Sequence, residues 1–181
     1  MQLPAVVLTA YETKDKTALE LWWEDKTVVD YLGALEKQLK EWWDKTEADP
    51  VRNPGRRVAG PLLRWMAIDP NTGNPVGFVC VQVTGQGGPE GKASPVGPPF
   101  HGGVNIVVDP QERRGGFGTA IVRALFEQPA LADVETLGGA VDATNTGSLG
   151  MLRKLGVTEY TERVSGGKVF RDFVISRPSA Q

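Results

Sequence analysis

The stretch VVDPQERRGGFGTAIVRAL, residues 107–125, contains three glycines and two arginines within six consecutive residues. A strand, a glycine-rich turn and a helix start, in that order, direct several backbone N–H groups at one point, and these amides lack partners inside the helix. Glycine permits close approach to the main chain, and Arg113 and Arg114 bring positive charge. The stretch therefore predicts a seat for a diphosphate. The alternative is a mobile turn whose arginines are only solvated.

The turn matches neither of the two common phosphate-binding patterns. GxGxxG would need a third glycine three residues after Gly118, where Ile121 stands, and no Gly-Lys-Ser/Thr follows as in a Walker A loop. The three glycines are Gly115, Gly116 and Gly118. The chemistry predicted here is thus anion binding by main-chain amides, without a named nucleotide motif.

Apolar runs, turn residues and helical spacing predict the elements that position this turn. The predicted strands cover residues 5–11, 62–69, 75–83, 103–109, 134–143, 157–164 and 169–176. Two helices are expected within 14–44, one over 116–127 and one over 145–156, which has Asn145 as N-cap and Gly156 as C-cap. Residues 48–61 and 84–99, rich in glycine and proline, are predicted loops.

Length and composition indicate one globular domain over residues 1–181, and the order of the predicted elements makes it an α/β domain. The chain is 40% hydrophobic and 23% charged, and its formal net charge of −2 argues against a general nucleic-acid binder. With one cysteine (Cys80) and one histidine, we expect no internal disulfide and no metal site. No basic, apolar leader opens the sequence, and no run approaches the roughly 20 apolar residues that span a bilayer. We expect a cytoplasmic protein without membrane contact.

Two spaced motifs resemble those of the GNAT superfamily of N-acetyltransferases. Arg113, Gly116 and Gly118 match its acyl-CoA-binding motif, Q/R-x-x-G-x-G/A, and the preceding NIVVDP resembles its fourth strand. NTGSLGMLRKLGV resembles its second motif, N-x-x-(A/S)-x-x-(L/M)-Y-x-K-x-G-F, at Asn145, Ser148, Met151, Lys154 and Gly156. The order of elements matches too. Residues 19–32 are similar to the branch that contains aminoglycoside 6′- and ribosomal-protein N-terminal acetyltransferases.

The resemblance implies a fold and a donor site. The fold is a mixed, mainly antiparallel sheet of about seven strands with flanking helices, in which the fourth and fifth strands splay apart to hold acetyl-CoA. Its pantetheine arm would pair with the backbone of Val107 and Val108, whose side chains also suit the core. Asn145 would bond the cofactor, cap its helix, or do both. Arg113 would add charge beside the pyrophosphate, which is assigned to the amides of Arg114, Gly115, Gly116, Phe117, Gly118 and Thr119.

The proton-transfer groups of the resemblance are incomplete here. Acetyl transfer needs a neutral amine and a protonated or stabilised leaving thiolate. The tyrosine that serves as thiol acid in the family is Leu152 in this sequence. The position of a fourth-strand glutamate base falls on Gly102, so its neighbour His101 becomes the catalytic candidate, the alternative being a histidine at a loop edge. Asn105 and Asp142 are further candidates, and positioning with water-borne protons is the remaining option.

The first two helices would supply the acceptor site by the same resemblance. Trp22, Trp23 and Asp25 could form an aromatic and acidic pocket for a cationic amine, although tryptophans at helical spacing also suit the core. The predicted reaction is direct attack, in a ternary complex, by a primary amine of a small molecule or protein N-terminus on acetyl-CoA. A non-catalytic acyl-CoA-binding module and a toxin-type acetyltransferase of aminoacyl-tRNA are the alternatives. A homodimer is an allowed assembly.

Overall fold

The computed structural model describes residues 2–35, 56–60, 62–86 and 96–178, and these residues form one mixed sheet flanked by helices. The strands are β1 (Val7–Ala10), β2 (Arg56–Val58), β3 (Leu63–Ile68), β4 (Pro75–Gln86), β5 (Gly97–Val108), β6 (Val134–Asp142), β7 (Thr161–Ser165) and β8 (Lys168–Ser176). Four α-helices lie wholly within the described residues: α1 (Lys16–Trp22), α2 (Lys26–Leu32), α3 (Phe117–Leu125) and α4 (Thr146–Lys154). None of the helices in these ranges is long and apolar enough to cross a membrane.

The strand order is β1-β3-β4-β5-β6-β8-β7, and β2 pairs with the end of β4. Every neighbouring pair is antiparallel except β5 and β6, which run parallel. A parallel pair requires a crossover connection, and α3 supplies it between β5 and β6. The glycine-rich turn of residues 113–118, named the diphosphate turn here after the ligand predicted for it, therefore lies where the chain leaves the centre of the sheet.

The two faces of the sheet pack against different helices. On one face, α3 and α4 bury side chains such as Ile121, Leu125 and Leu152 against alternate residues of β4, β5 and β6. On the other, α1 and α2 cover a second cluster that contains Phe78 and Cys80. Because β4 is covered on both sides, its sequence is almost continuously apolar rather than alternating.

Two predicted loops contain strand instead. Residues Arg56–Val58 form β2, and both β4 and β5 extend into the predicted loop 84–99, to Gln86 and from Gly97. Glycine permits this pairing: a Cβ on Gly85 would lie 2.4 Å from the Gly97 oxygen. Residues 36–55 and 87–95, with the end of the predicted second helix and the middle of the loop, lie outside the described residues.

Candidate functional site

The gap between β5 and β6 is the central feature of the site. Their parallel pairing runs only from Phe100↔Val134 to Gly103↔Gly138. Beyond these pairs β5 continues to Val108 on β4, and β6 continues to Asp142 on β8. No described strand fills the space, so one backbone edge of each strand is left without a ladder partner. An extended chain of amides could pair there as a strand would.

Strand alternation decides which peptide groups of β5 face the gap. The amide of Asp109 donates to the main-chain oxygen of Val76 in β4 (2.9 Å). Because peptide groups alternate in direction along a strand, those of Val107 also face β4. The oxygen of Val104 faces β6 instead. The main-chain groups of Val104, Ile106 and Val108 therefore point into the gap. The prediction is corrected for Val107, whose peptide groups serve β4 and whose side chain is buried in the second cluster, while Val108 stays available to a ligand.

The turn after β5 needs its glycines for different reasons. Gly116 has φ +94° and is the N-cap of α3, and a Cβ there would lie 3.1 Å from Pro4. At Gly118 a Cβ would lie 2.9 Å from the Met151 sulfur, so this glycine lets α3 approach α4. Arg114, with φ +68°, adopts a left-handed conformation that is uncommon for a residue with a side chain. Backbone conformation at Gly116 and helix packing at Gly118 thus explain two glycines that the sequence analysis attributed to close approach of a ligand.

The N-terminus of α3 has no side-chain cap from the described residues, and the residues that carry its first amides line the same cleft as the gap. Gly116 has no side chain to cap the helix, and no side-chain cap is formed there. Phe117 and Thr119 turn their side chains into the protein, where both are buried. The first amides of a helix have no intrahelical acceptor and lie at the positive end of its dipole. The predicted amides from Gly116 to Thr119 are therefore placed to receive an anion.

The side chain of Arg113 hydrogen-bonds to residues at the start of α2. Its Nη1 donates to Thr27 Oγ1 (2.5 Å) and to Asp25 Oδ1 (3.3 Å). Asp25 is the N-cap of α2 and accepts from the amides of Thr27 (2.8 Å) and Val28 (3.3 Å). A hydrogen bond from the Thr27 hydroxyl, reinforced by the Arg113 charge, lowers the pKa of Asp25. The carboxylate predicted for an acceptor pocket is thus a helix cap and an arginine partner.

The second motif forms the opposite wall of the cleft. Asn145 caps α4, its Oδ1 accepting from the Ser148 amide (3.0 Å), which leaves the side-chain NH₂ group to donate elsewhere. The C-cap of α4 is Leu155 rather than the predicted Gly156, which follows it and has φ +86°, the left-handed conformation typical of the residue after a C-cap. Leu152, at the position of the family's tyrosine, is 1% exposed and packs in the first cluster. No thiol acid stands at that position.

The gap, the turn and α4 enclose one cleft of about 710 Å³. Val107, Val108, Arg113, Arg114, Gly116, Phe117, Gly118, Thr119 and Asn145 line it, whereas Gly115 does not. Lys154 adds a third cation, and Asp142 adds a buried carboxylate on β6. The Thr144 side chain and amide, which hydrogen-bond to Asp142, lower the pKa of that carboxyl, and Lys168 lies 3.7 Å away.

His101 stands just beyond the closed end of the gap. It is on the paired half of β5, and its Nδ1 lies 2.6 Å from Thr136 Oγ1 of β6. Its ring occupies the space beside Gly138, where a Cβ would come within 2.8 Å of Cε1. Alternation from Val107 places it on the face of the sheet that carries α1 and α2. It does not line the donor-side cleft.

The two tryptophans predicted for the acceptor pocket belong to the core. Trp22 is 3% exposed and Trp23 is 8% exposed, and both pack in the second cluster under α1. The indole Nε1 of Trp23 donates to the Gly33 oxygen (2.9 Å). Neither lines the cleft, so the acceptor assignment is corrected for both. Large aromatic rings at the end of a short helix fill the space between helix and sheet.

Sequence reasoning missed the side chains of α2 that do line the cleft: Thr27, Val28, Tyr31 and Leu32. Their spacing of one, three and one residues follows a single face of a helix, so the signal was present in the sequence. The hydroxyl of Tyr31 donates to the main-chain oxygen of Thr144 (3.4 Å). This hydrogen bond connects α2 to the β6 side of the cleft.

Solved structures share this architecture. The aminoglycoside acetyltransferase AAC(6′)-Ib in complex with coenzyme A and kanamycin is 18% identical, with a TM-score of 0.64 over 96% of this chain and 95% of that chain. An aminoglycoside N(6′)-acetyltransferase from Legionella pneumophila is 11% identical (TM-score 0.66; 97% and 94% covered). Spermidine N-acetyltransferase from Vibrio cholerae, in complex with CoA and spermine, is 13% identical (TM-score 0.61; 95% of both). The expected fold, with its splayed central strands, is confirmed.

Sequence comparison names the family. No curated protein matches the chain in sequence. The model of the acetyltransferase (GNAT) family, in contrast, matches residues 16–157, which include the diphosphate turn, both walls of the gap and α4. Since that match spans most of the chain, the protein belongs to the acetyltransferase (GNAT) family and is an acyltransferase.

Proposed function

We propose that this chain transfers the acetyl group of acetyl-CoA to a primary amine of a small molecule or a protein N-terminus. The observation that carries the proposal is the gap between β5 and β6, which opens toward the free amides of α3. A donor with an extended amide arm and a diphosphate fits both parts. The arm would pair with the gap-facing edge at Ile106 and Val108, and the diphosphate would accept from the amides of Gly116 to Thr119.

The charges of the cleft suit such a donor. Arg113, Arg114 and Lys154 all line the cleft, so three cations would face a ligand of negative charge. Asn145 offers its side-chain NH₂ group from the opposite wall. The net charge of −2 gives no comparable support to a tRNA substrate.

The transfer itself requires a proton route. The neutral amine attacks the thioester carbonyl carbon, the C–S bond breaks, the amine nitrogen loses a proton and the thiolate gains one. His101 is our candidate base, because Thr136 orients its ring at the closed end of the gap, on the face away from α3. With Leu152 buried in place of the family's tyrosine, the thiolate would take its proton from solvent or from the acceptor.

An amine acceptor is supported by the neighbours and by the cleft. Two of the similar structures were solved with kanamycin or spermine. Asp142 keeps a carboxylate on the cleft wall, and Asn105 and Tyr31 add polar groups that could bind an ammonium. Leu152 favours one competing reading, a module that binds acyl-CoA without catalysis.

Donor binding and turnover test the proposal separately. Isothermal titration should show CoA and acetyl-CoA binding, and thiol release should appear with at least one of kanamycin, spermine or an N-terminal peptide. Arg114→Glu places a negative charge at the diphosphate end and should raise the Kd of CoA at least about tenfold. Arg123→Glu, exposed in the last turn of α3, is the matched control and should bind normally. Binding without thiol release would favour the non-catalytic module, and no binding would refute the donor site.

A further inference from the structure

Arg113 joins the diphosphate turn to a helix that is remote in sequence. Its Nη1 contacts both Asp25 and Thr27 at the start of α2, and the two charged side chains are 37% and 30% exposed. Nη1 carries two of the five N–H groups of a guanidinium, so Nε and Nη2 keep three more. Arg113 and Thr27 both line the cleft. One guanidinium therefore borders α2 on one edge and the expected diphosphate on another.

The other end of α2 is tied to the opposite wall. Lys168 Nζ donates to the main-chain oxygen of Asp30 (3.1 Å), and the Tyr31 hydroxyl donates to the main-chain oxygen of Thr144. The helix thus crosses the mouth of the cleft from the turn to the end of β6. These are partly exposed polar contacts, each worth less than about 1 kcal/mol. The position of α2 is therefore sensitive to the loss of any one of them.

Building on the proposed function, we propose that Asp25 and Thr27 are positioning residues that act on the donor through Arg113. They hold the guanidinium so that its remaining N–H groups face the diphosphate. The bound diphosphate in turn holds Arg113 against α2 and fixes this helix across the cleft. Donor binding thereby orders one wall of the site that the acceptor amine must enter.

CoA binding by titration calorimetry, together with amide hydrogen exchange, tests this role. Asp25→Asn is the informative variant, because Asn is as good an N-cap as Asp and α2 keeps its cap. Its Kd for CoA should rise about two- to fivefold, the effect of losing a partly exposed ion pair. CoA should slow exchange of residues 26–32 in the wild type but much less in Asp25→Asn, whereas residues 113–119 should be protected in both.

Two further variants complete the design. Thr27→Val replaces the hydroxyl that hydrogen-bonds to both Arg113 and Asp25 with a methyl group and should also raise the Kd of CoA. Asp30→Asn removes the same charge from the same helix, but Asp30 pairs with Lys26 and should leave both measurements unchanged. Wild-type affinity and wild-type protection of α2 in both Asp25→Asn and Thr27→Val would overturn the positioning role. Absence of CoA binding and of protection at 113–119 in the wild type would instead refute the donor site itself.

Discussion

The diphosphate turn and α2 border the same cleft, while α1 packs beside α2 against the sheet, and the two regions differ in how they could act on a ligand. The turn would act through its main chain, which glycines and one left-handed arginine bring into position. The helices work through side chains, and packing decides which of these reach the cleft. Trp22 and Trp23 face the sheet, while Thr27 and Tyr31 face the cleft.

This difference explains which of the two regions can be proposed from sequence alone. A main-chain site requires residues with particular backbone freedom, so a run such as RRGGFG makes the turn a candidate without knowledge of its neighbours. A side-chain site depends on the neighbours of each helix, which a single sequence does not specify. Residue types suited to a cationic amine were therefore assigned to α1, although its tryptophans are part of the core.

The largest expected effect concerns the core role of α1. Trp22→Ala should lower the free energy of unfolding by about 3–5 kcal/mol, because a large buried ring is replaced by a cavity. Trp22→Phe should lose less, since most of the volume remains. Urea unfolding followed by circular dichroism measures both. A Trp22→Ala protein as stable as the wild type, with a changed KM for the amine, would return this residue to the acceptor site.

The second effect concerns chemistry at the closed end of the gap. His101→Ala should reduce thiol release about a hundredfold, the usual contribution of a general base, while CoA affinity stays unchanged. The fall in rate at acidic pH should disappear with the imidazole. Thr136→Val should keep the base but misorient it, giving an intermediate rate. If rate and pH profile are unchanged in His101→Ala, histidine has no part in the mechanism.

The fold was predictable wherever local pattern and global packing agree. The N-cap at Asn145, the left-handed glycine after the C-cap of α4 and the order of the elements follow from local signals. The extension of β4 and β5 into the predicted loop could not be predicted from local signals, because it depends on the close approach of Gly85 to Gly97 of the neighbouring strand. Gly118 is similar, since the contact with α4 that requires it involves residues far along the chain.

The smallest effect separates the two aspartate–threonine pairs that flank the cleft. Asp142 on the β6 wall, like Asp25 at α2, has a lowered pKa because of the threonine two residues on. A lowered folded-state pKa stabilises the fold above the unfolded value, about 4, and this contribution is lost as pH falls through the folded-state pKa.

Asp142→Asn keeps the local turn but removes this contribution. The variant should be less stable than the wild type at pH 7, by less than about 1 kcal/mol because Lys168 is exposed, and the difference should shrink toward pH 3. Urea unfolding at both pH values measures it. A difference that does not change with pH would show that the ionised carboxylate contributes nothing to the β6 wall. Asp25 would then differ from Asp142 through its partner, because Arg113 belongs to the diphosphate turn and connects Asp25 to it.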